Sequence, residues 1–307
     1  MQRLVEGCYL VDFHGDVYAV KGLVHPPSRV YAVPRVVKGV KVKDFSQALD
    51  YVLRERPDYL FDDPYTGRVV IAIPENMILR RLYPVKTPQG PSKLVSAAEE
   101  LAQHLSEARV EFGFTGSLLT GYTTEKSDID IVVYGEGRKA YELFSKLRKE
   151  GFTKPVTAEN LTILLESRRD TAKAVEMAAA EQRKVLTGVF RNVLYTVKIV
   201  PENFWETWED TRCKPIQNYE AVVEVVDDST AFYTPGRYGV RVVEGDEIGR
   251  ECREIIYFRS RFAEMAEKGC RVRVRGLLEK VLTKTGSYLR LNVGVGRDDY
   301  ILGDLPE

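Results

Sequence analysis

The chain is short of the residues from which most metal and thiol chemistry is built. Its 307 residues include four cysteines and three histidines. Cys8, Cys213, Cys252 and Cys270 lie far apart and form no Cys-x-x-Cys, and His14, His25 and His104 are equally scattered. Neither a zinc site nor a disulfide framework is expected, and the thiols read as reduced and mostly buried, as in a cytosolic protein. No apolar run approaches the roughly twenty residues that cross a bilayer. Met1-Gln2-Arg3 leads to Glu6 rather than into a signal-type apolar segment, so a soluble cytoplasmic protein with no membrane partner is expected. Net charge is absent too, because 45 Lys and Arg balance 45 Asp and Glu. The whole molecule is therefore no electrostatic magnet for nucleic acid. Asn and Gln are sparse beside Lys, Arg and Glu, a bias met in thermophile proteins.

What is present suffices for cores. Hydrophobic residues make up 44% of the chain and charged residues 29%, and the length implies two or three domains. Residues 1–85 alternate in the strand manner at Cys8–Val11, Val17–Val20, Val30–Val33, Val40–Val42 and Val69–Ile73. Asp44 is placed to cap a helix carrying Ala48, Tyr51 and Val52, and a short helix is expected from Met77 to Leu82. Pro84 to Pro91 is too rich in proline and glycine for a regular element and reads as a linker. Helices then alternate with strands: Leu94, Ala98, Leu101 and Leu105 recur at helical spacing, as do Ala140, Leu143, Phe144 and Leu147, which end at Gly151. Helices over Ala158–Ser167 and Thr171–Leu186 and a strand over Val193–Val200 follow. From Asn218 strands return at Ala221–Val226, Tyr238–Val243, Ile255–Phe258, Val272–Leu278 and Tyr288–Val295, with a short helix over Arg261–Lys268.

The segment from Thr115 to Gly135 carries the chemistry. Gly116 and Ser117 follow the strand-like run Val110, Phe112, Phe114, where a glycine lets backbone N–H groups approach a phosphate with no Cβ in the way. Ten residues later Asp128 and Asp130 flank Ile129. On a strand both carboxylates share one face while Ile129, Ile131 and Val133 turn to the core. Two adjacent anions repel, and a divalent cation with hard oxygen ligands is the usual relief.

This pattern resembles the signature of the DNA polymerase β-like nucleotidyltransferase superfamily. The chain is also similar to an archaeal group of predicted nucleotidyltransferases, on the segment Val20-Lys21-Gly22-Leu23-Val24-His25-Pro26-Pro27. The resemblance implies an α+β protein: an N-terminal α+β module over residues 1–90, a polymerase β-like nucleotidyltransferase core over 91–212, and, from element order, an OB-like β-barrel over 213–307. It implies a catalytic and metal-binding pair, Asp128 and Asp130, holding Mg (or Mn), and a nucleoside triphosphate as substrate held by Gly116 and Ser117. The nucleotide would pass to an acceptor, with RNA or DNA as the expected partner; the base, the acceptor and the oligomeric state stay open.

Two departures from the pattern bear on catalysis. Superfamily enzymes usually carry a third carboxylate on a later strand, whereas Tyr195–Val200 offers Lys198 instead, which would neutralise the aspartates or hold a phosphate. Asp170, Glu202, Glu206 or Glu209 could supply the missing oxygen from a different element, and nothing in the sequence selects one of them. Leu118 and Leu119 stand where many small members have a basic residue. The alternatives are therefore a catalytically degenerate nucleotide-binding or nucleic-acid-binding module, or transfer to a protein side chain.

Charge is unevenly spread. Basic residues dominate from Arg250 to Arg290, and a second basic stretch holds Lys21, Arg29, Arg35, Lys38, Lys41 and Lys43. Arg271, Arg273 and Arg275 alternate with valines and are the expected nucleic-acid contacts, with Tyr233, Tyr257, Phe258 or Tyr288 as stacking platforms. The other reading of that strand is a solvated outer face.

Overall fold

The computed structural model describes residues 3–42, 44–166 and 174–303; Lys43, Asp170, and the helix ends expected at Ser167 and Thr171 lie outside the described residues, as do Met1 and Gln2. It is a mixed α/β chain in which three sheets follow one another. The first sheet is antiparallel. Its strands are β1 (Tyr9–Asp12), β2 (Val17–Val20), β3 (Arg29–Val37), β4 (Val40–Lys41), β5 (Leu60–Asp63), β6 (Arg68–Pro74) and β7 (Ile78–Leu82), in the order β5-β6-β3-β2-β1-β7 with β4 beside β3. Helix α1 (Phe45–Glu55) starts where the Asp44 carboxylate accepts the Ser46 N–H at 2.6 Å, and it buries Ala48 and Val52. The helix expected over Met77–Leu82 is not formed. A single 3-10 turn, Glu75–Met77, leads into β7, which pairs with β1 through Tyr9 opposite Leu82 and Leu10 opposite Arg81. Leu79, Arg80 and Arg81 are exposed either way, so the backbone pairing offered by β1 decides the conformation.

The proline-rich linker skirts the second sheet, where Val85 and Phe114 exchange backbone hydrogen bonds of 3.1 and 2.7 Å. Helix α2 (Ser92–Glu107) buries Leu94, Ala98, Leu101 and Leu105 as the periodicity required. Then come β8 (Phe112–Phe114), the short α3 (Gly116–Thr120), β9 (Ile129–Tyr134), α4 (Gly137–Lys149), α5 (Ala158–Glu166), α6 (Ala174–Arg183), β10 (Thr187–Phe190) and β11 (Val193–Val200). The strand order is β10-β11-β9-β8, with β9 and β11 parallel. Ile129, Ile131 and Val133 enter one core with α2, Phe144 of α4 and Ile199. Strand β10 was not expected, since the apolar run to Leu186 reads as helix. The helix stops at Arg183, and β10 turns back on β11 through Arg191 and Asn192, at φ of 49° and 62°. Such a two-residue turn matches the strand twist.

The third sheet contains β12 (Arg212–Thr230), β13 (Gly236–Glu244), β14 (Cys252–Tyr257), β15 (Arg271–Thr283), β16 (Gly286–Val293) and β17 (Tyr300–Leu302). The pairing runs β12-β13-β14-β16-β15 and returns from β15 to β12, so five strands pair in a ring; β14 and β16 are parallel. Val272, Val274 and Ile255 fill the interior, and Ala180 of α6 joins them. The helix expected over Arg261–Lys268 is reduced to a 3-10 turn, Ser260–Phe262. Glu264 sits at φ 58° with its carboxylate accepting the N–H groups of Val185 and Leu186 at 2.9 and 3.2 Å, a tertiary demand no helix meets.

Candidate functional site

The carboxylate face of β9 does not meet solvent alone; the first residues of the chain lie across it. The Tyr134 hydroxyl donates to the Glu6 carbonyl at 2.9 Å and the Thr115 hydroxyl to the Gly7 carbonyl at 2.5 Å. Gly7, at φ 98°, leaves no room for a Cβ against Tyr134 and Val132. The segment Val20–Pro27 clamps this crossing from the other side. Glu6 N–H donates to the Gly22 carbonyl at 2.8 Å, and Gly22 N–H returns to the Glu6 carboxylate at 3.1 Å. His25 bonds the Leu4 carbonyl through Nε2 at 2.9 Å and accepts the Tyr31 N–H on Nδ1 at 3.2 Å. Those two bonds require the neutral ring protonated on Nε2, and burial pushes its pKa down to about 4. The histidine is a strap, not a proton carrier.

Gly116, at φ 61°, opens α3 with its Cα against Asp130: any Cβ there would fall inside the Asp130 carboxylate. The Ser117 Oγ beside it is buried and has no hydrogen-bond partner. An orphaned hydroxyl costs roughly 1–3 kcal/mol unless a ligand completes it. Asp128 precedes β9 and Asp130 is its second residue. Burial, then the charge of Asp130, pushes the Asp128 carboxyl up to about 7. Burial also raises Asp130, opposed by Lys198, Arg35, Lys21 and Lys41. In β11 Thr196 lies opposite Asp130, so Lys198, two residues on, projects from the same face.

The structure therefore brings together Gly116, Ser117, Asp128, Asp130 and Lys198. It adds Glu6, which sequence reasoning missed. Glu6 is buried, with Lys21 at 2.8 Å and Lys198 at 3.6 Å. Burial works against its charge, but the two lysines outweigh that and hold the carboxyl below its usual range. Lys21 in turn is pushed down to about 8 by burial. The available signal was a lone charge within the apolar run Leu4-Val5-Glu6-Gly7-Cys8. Lys21, Arg35 and Lys41 were visible as part of a basic stretch; only the fold turns them toward the aspartates.

Other expected positions fall elsewhere. Arg271, Arg273 and Arg275 lie on β15, alternating with buried Val272 and Val274, and no ion pair involves them among the described residues. Arg290, counted in the basic excess, is buried between Glu279 and Glu206 and faces no polyanion at the surface. Tyr257 is buried and donates to the Ala231 carbonyl, so it is no stacking platform. Glu206 is held by Arg290 and Tyr65, while Glu202 and Glu209 are exposed. Among the described residues no group of three or more His, Cys, Asp or Glu gathers to hold a metal ion. The donor set at β9 is thus two carboxylates, hard oxygens that fit a cation completing its shell with substrate phosphates and water, as magnesium does.

The glycine-serine turn and the carboxylate pair at β9 lie in a stretch whose sequence is similar to known proteins. Residues 94–181 match the family model of the nucleotidyltransferase domain, so the chain carries such a domain. That span holds Gly116, Ser117, Asp128 and Asp130 and stops short of β11 and Lys198. Along nearly its whole length the chain is similar to an uncharacterized protein of Methanocaldococcus jannaschii, 25% identical over 329 aligned residues that cover 95% of this chain and 96% of the relative. No solved structure matches. Among the described residues no helix is long and apolar enough to cross a membrane.

Proposed function

We propose that the protein is a divalent-metal-dependent nucleotidyltransferase that moves a nucleotide from a nucleoside triphosphate to an acceptor, with nucleic acid, RNA foremost, as the acceptor. The observation that carries this reading is the half-buried, mutually repelling pair Asp128 and Asp130 beside the unpartnered Ser117 hydroxyl. Asp128 and Asp130 would hold Mg or Mn, which supplies charge neutralisation and a more acidic acceptor hydroxyl. Ser117 Oγ donates to a triphosphate oxygen. Lys198 and Lys21 balance phosphate charge, and Glu6 fixes the two lysines. The acceptor hydroxyl gives up its proton to solvent, its oxygen bonds the α-phosphorus, the bond to pyrophosphate breaks, and pyrophosphate leaves. Around this core the reading takes residues 1–90 as an α+β module, 91–212 as the transferase core and 213–307 as an OB-like barrel. The ring of five strands with β14 parallel to β16 supports the last. Arg271, Arg273 and Arg275 on that barrel would contact nucleic-acid phosphates, supported by their having no ion pair among the described residues. The test is pyrophosphate release from labelled triphosphates with RNA and Mn, in the wild type and in Asp130→Asn; equal release from both would sink the assignment.

A second reading is favoured by Lys198, which stands where superfamily enzymes usually have an acid and is tied to Glu6. In that reading the site binds a nucleotide without transferring it. Triphosphate binding that needs Asp130 but yields no pyrophosphate with any acceptor would select it.

A further inference from the structure

A cavity of about 720 Å³ opens between the first sheet and the strand ring, and its wall includes Lys198 and Glu6. It therefore adjoins the carboxylate site. In a chain of zero net charge its wall is strongly biased: seven lysine and arginine side chains line it against two glutamates, Glu6 and Glu279. Part of that charge is spent within the protein. Lys21 and Lys198 share Glu6, and Arg290 is held by Glu279 and Glu206. Arg35 and Arg68 take part in no ion pair among the described residues, and Arg68 Nε is buried without a hydrogen-bond partner. The wall also presents rings. Phe258 and Phe204 are half-buried with centroids 6.3 Å apart, and Phe45 is 37% exposed beneath the guanidinium of Arg259. Gly22, at φ 72°, adopts a left-handed conformation beside Phe258.

Unspent cations and half-exposed aromatic rings in one concave site are the pairing that takes a base on a ring and a phosphate on a guanidinium. The volume falls within the roughly 300–1,000 Å³ of small-ligand sites. We propose that this cavity binds a nucleoside phosphate, its base on Phe258 or Phe204 and its phosphates at Arg35 and Arg68, and that it is the acceptor site. As a binding site it stands without the metal; as the acceptor site it rests on the nucleotidyl-transfer reading. The ligand is either a free mononucleotide or the end of a single strand, which share this chemistry.

Metal-free binding of a fluorescent oligoribonucleotide and of a fluorescent nucleoside monophosphate, with EDTA at low salt, separates the two readings. Phe258→Ala should weaken binding by about fivefold to a hundredfold. Phe258→Leu keeps an apolar contact and tests the ring in a variant that folds. The double change Arg35→Gln, Arg68→Gln should flatten the dependence of log affinity on log salt by about 0.7 per lost contact. Equal binding of both probes identifies a mononucleotide site, and a large preference for the oligonucleotide identifies a strand end. The inference is overturned if neither probe binds the wild type, or if the Phe258 and arginine variants bind with wild-type affinity and salt slope. Asp130→Asn should retain or strengthen this metal-free binding, because it removes an anion. Triphosphate binding unchanged by Asp130→Asn would sink the metal site and leave the cavity assignment standing.

Discussion

Two clusters of charged side chains in this molecule are compensated in opposite ways. In the strand ring Arg290 is matched on every side: Nε donates to Glu279 at 2.6 Å, Nη1 meets Glu206, and Nη2 reaches Cys213 Sγ at 3.1 Å. Tyr65 then closes the second oxygen of Glu206 at 2.6 Å. At β9 two carboxylates face the same way, Asp128 is pushed up to about 7, and Ser117 Oγ has no partner. A matched buried network holds a fold together, whereas an unmatched one awaits a ligand. The arginine cluster is the more deeply buried and is matched at its cation, with Glu279 Oε2 left over, whereas at the half-buried pair on β9 no cation sits within ion-pair distance of either carboxylate among the described residues.

The largest effect that would test the contrast is at the matched end. Arg290→Met leaves two carboxylates buried without their cation and should cost about 3–5 kcal/mol in urea unfolding; a cost below about 1 kcal/mol would mean the network does not hold the ring, and the contrast would collapse. At the unmatched end Asp130→Asn should lower manganese-dependent triphosphate affinity about a hundredfold or more, with the circular dichroism spectrum unchanged. Titration calorimetry with and without Mn reads this directly. Lys198→Ala should weaken triphosphate binding about tenfold, while Lys198→Asp should raise pyrophosphate release if the lysine is what holds transfer back. Loss of binding in Lys198→Asp with no gain in release would discard that idea.

Smaller changes sharpen the comparison. Replacing Arg271, Arg273 and Arg275 together with Ala should reduce the salt slope of RNA binding by about 0.7–0.9 for each true contact; an unchanged slope would leave them as solvated residues of β15. The smallest effect is on stability. Because the folded Asp128 carboxyl sits near 7 and an unfolded one near 3.8, the metal-free folded state holds a proton that the unfolded state releases between those values. Stability tied to this group is therefore present below pH 4 and lost as the pH rises toward 7. Asp128→Asn should raise the metal-free Tm at pH 8, with the gain vanishing near pH 4; a gain that persists at pH 4 would point to packing instead.

Much of the site could be read along the chain. Period-two alternation placed Ile129, Ile131 and Val133 in the core and thereby set Asp128 and Asp130 on the opposite face. The extent of β11 was legible for the same reason, as was the cap of α1 at Asp44. Helices were over-read at Met77–Leu82 and Arg261–Lys268. In each a distant partner, β1 in the first and the N–H groups of Val185 and Leu186 in the second, outweighed local propensity.

By itself the sequence determined what local periodicity and short spacing can carry: the glycine-serine turn, the carboxylate pair, Lys198 in place of an acid, and most strands in outline, but not β5, β7, β10 or β17. Only the tertiary structure decided which charges meet. Glu6 and Lys198 are 192 positions apart by their numbering, yet their side chains approach to 3.6 Å, and Arg290 finds Glu206 across 84 positions. A charged residue announces its presence in a sequence but not its counter-ion, because Coulomb energy depends on distance in space and on the dielectric that burial creates.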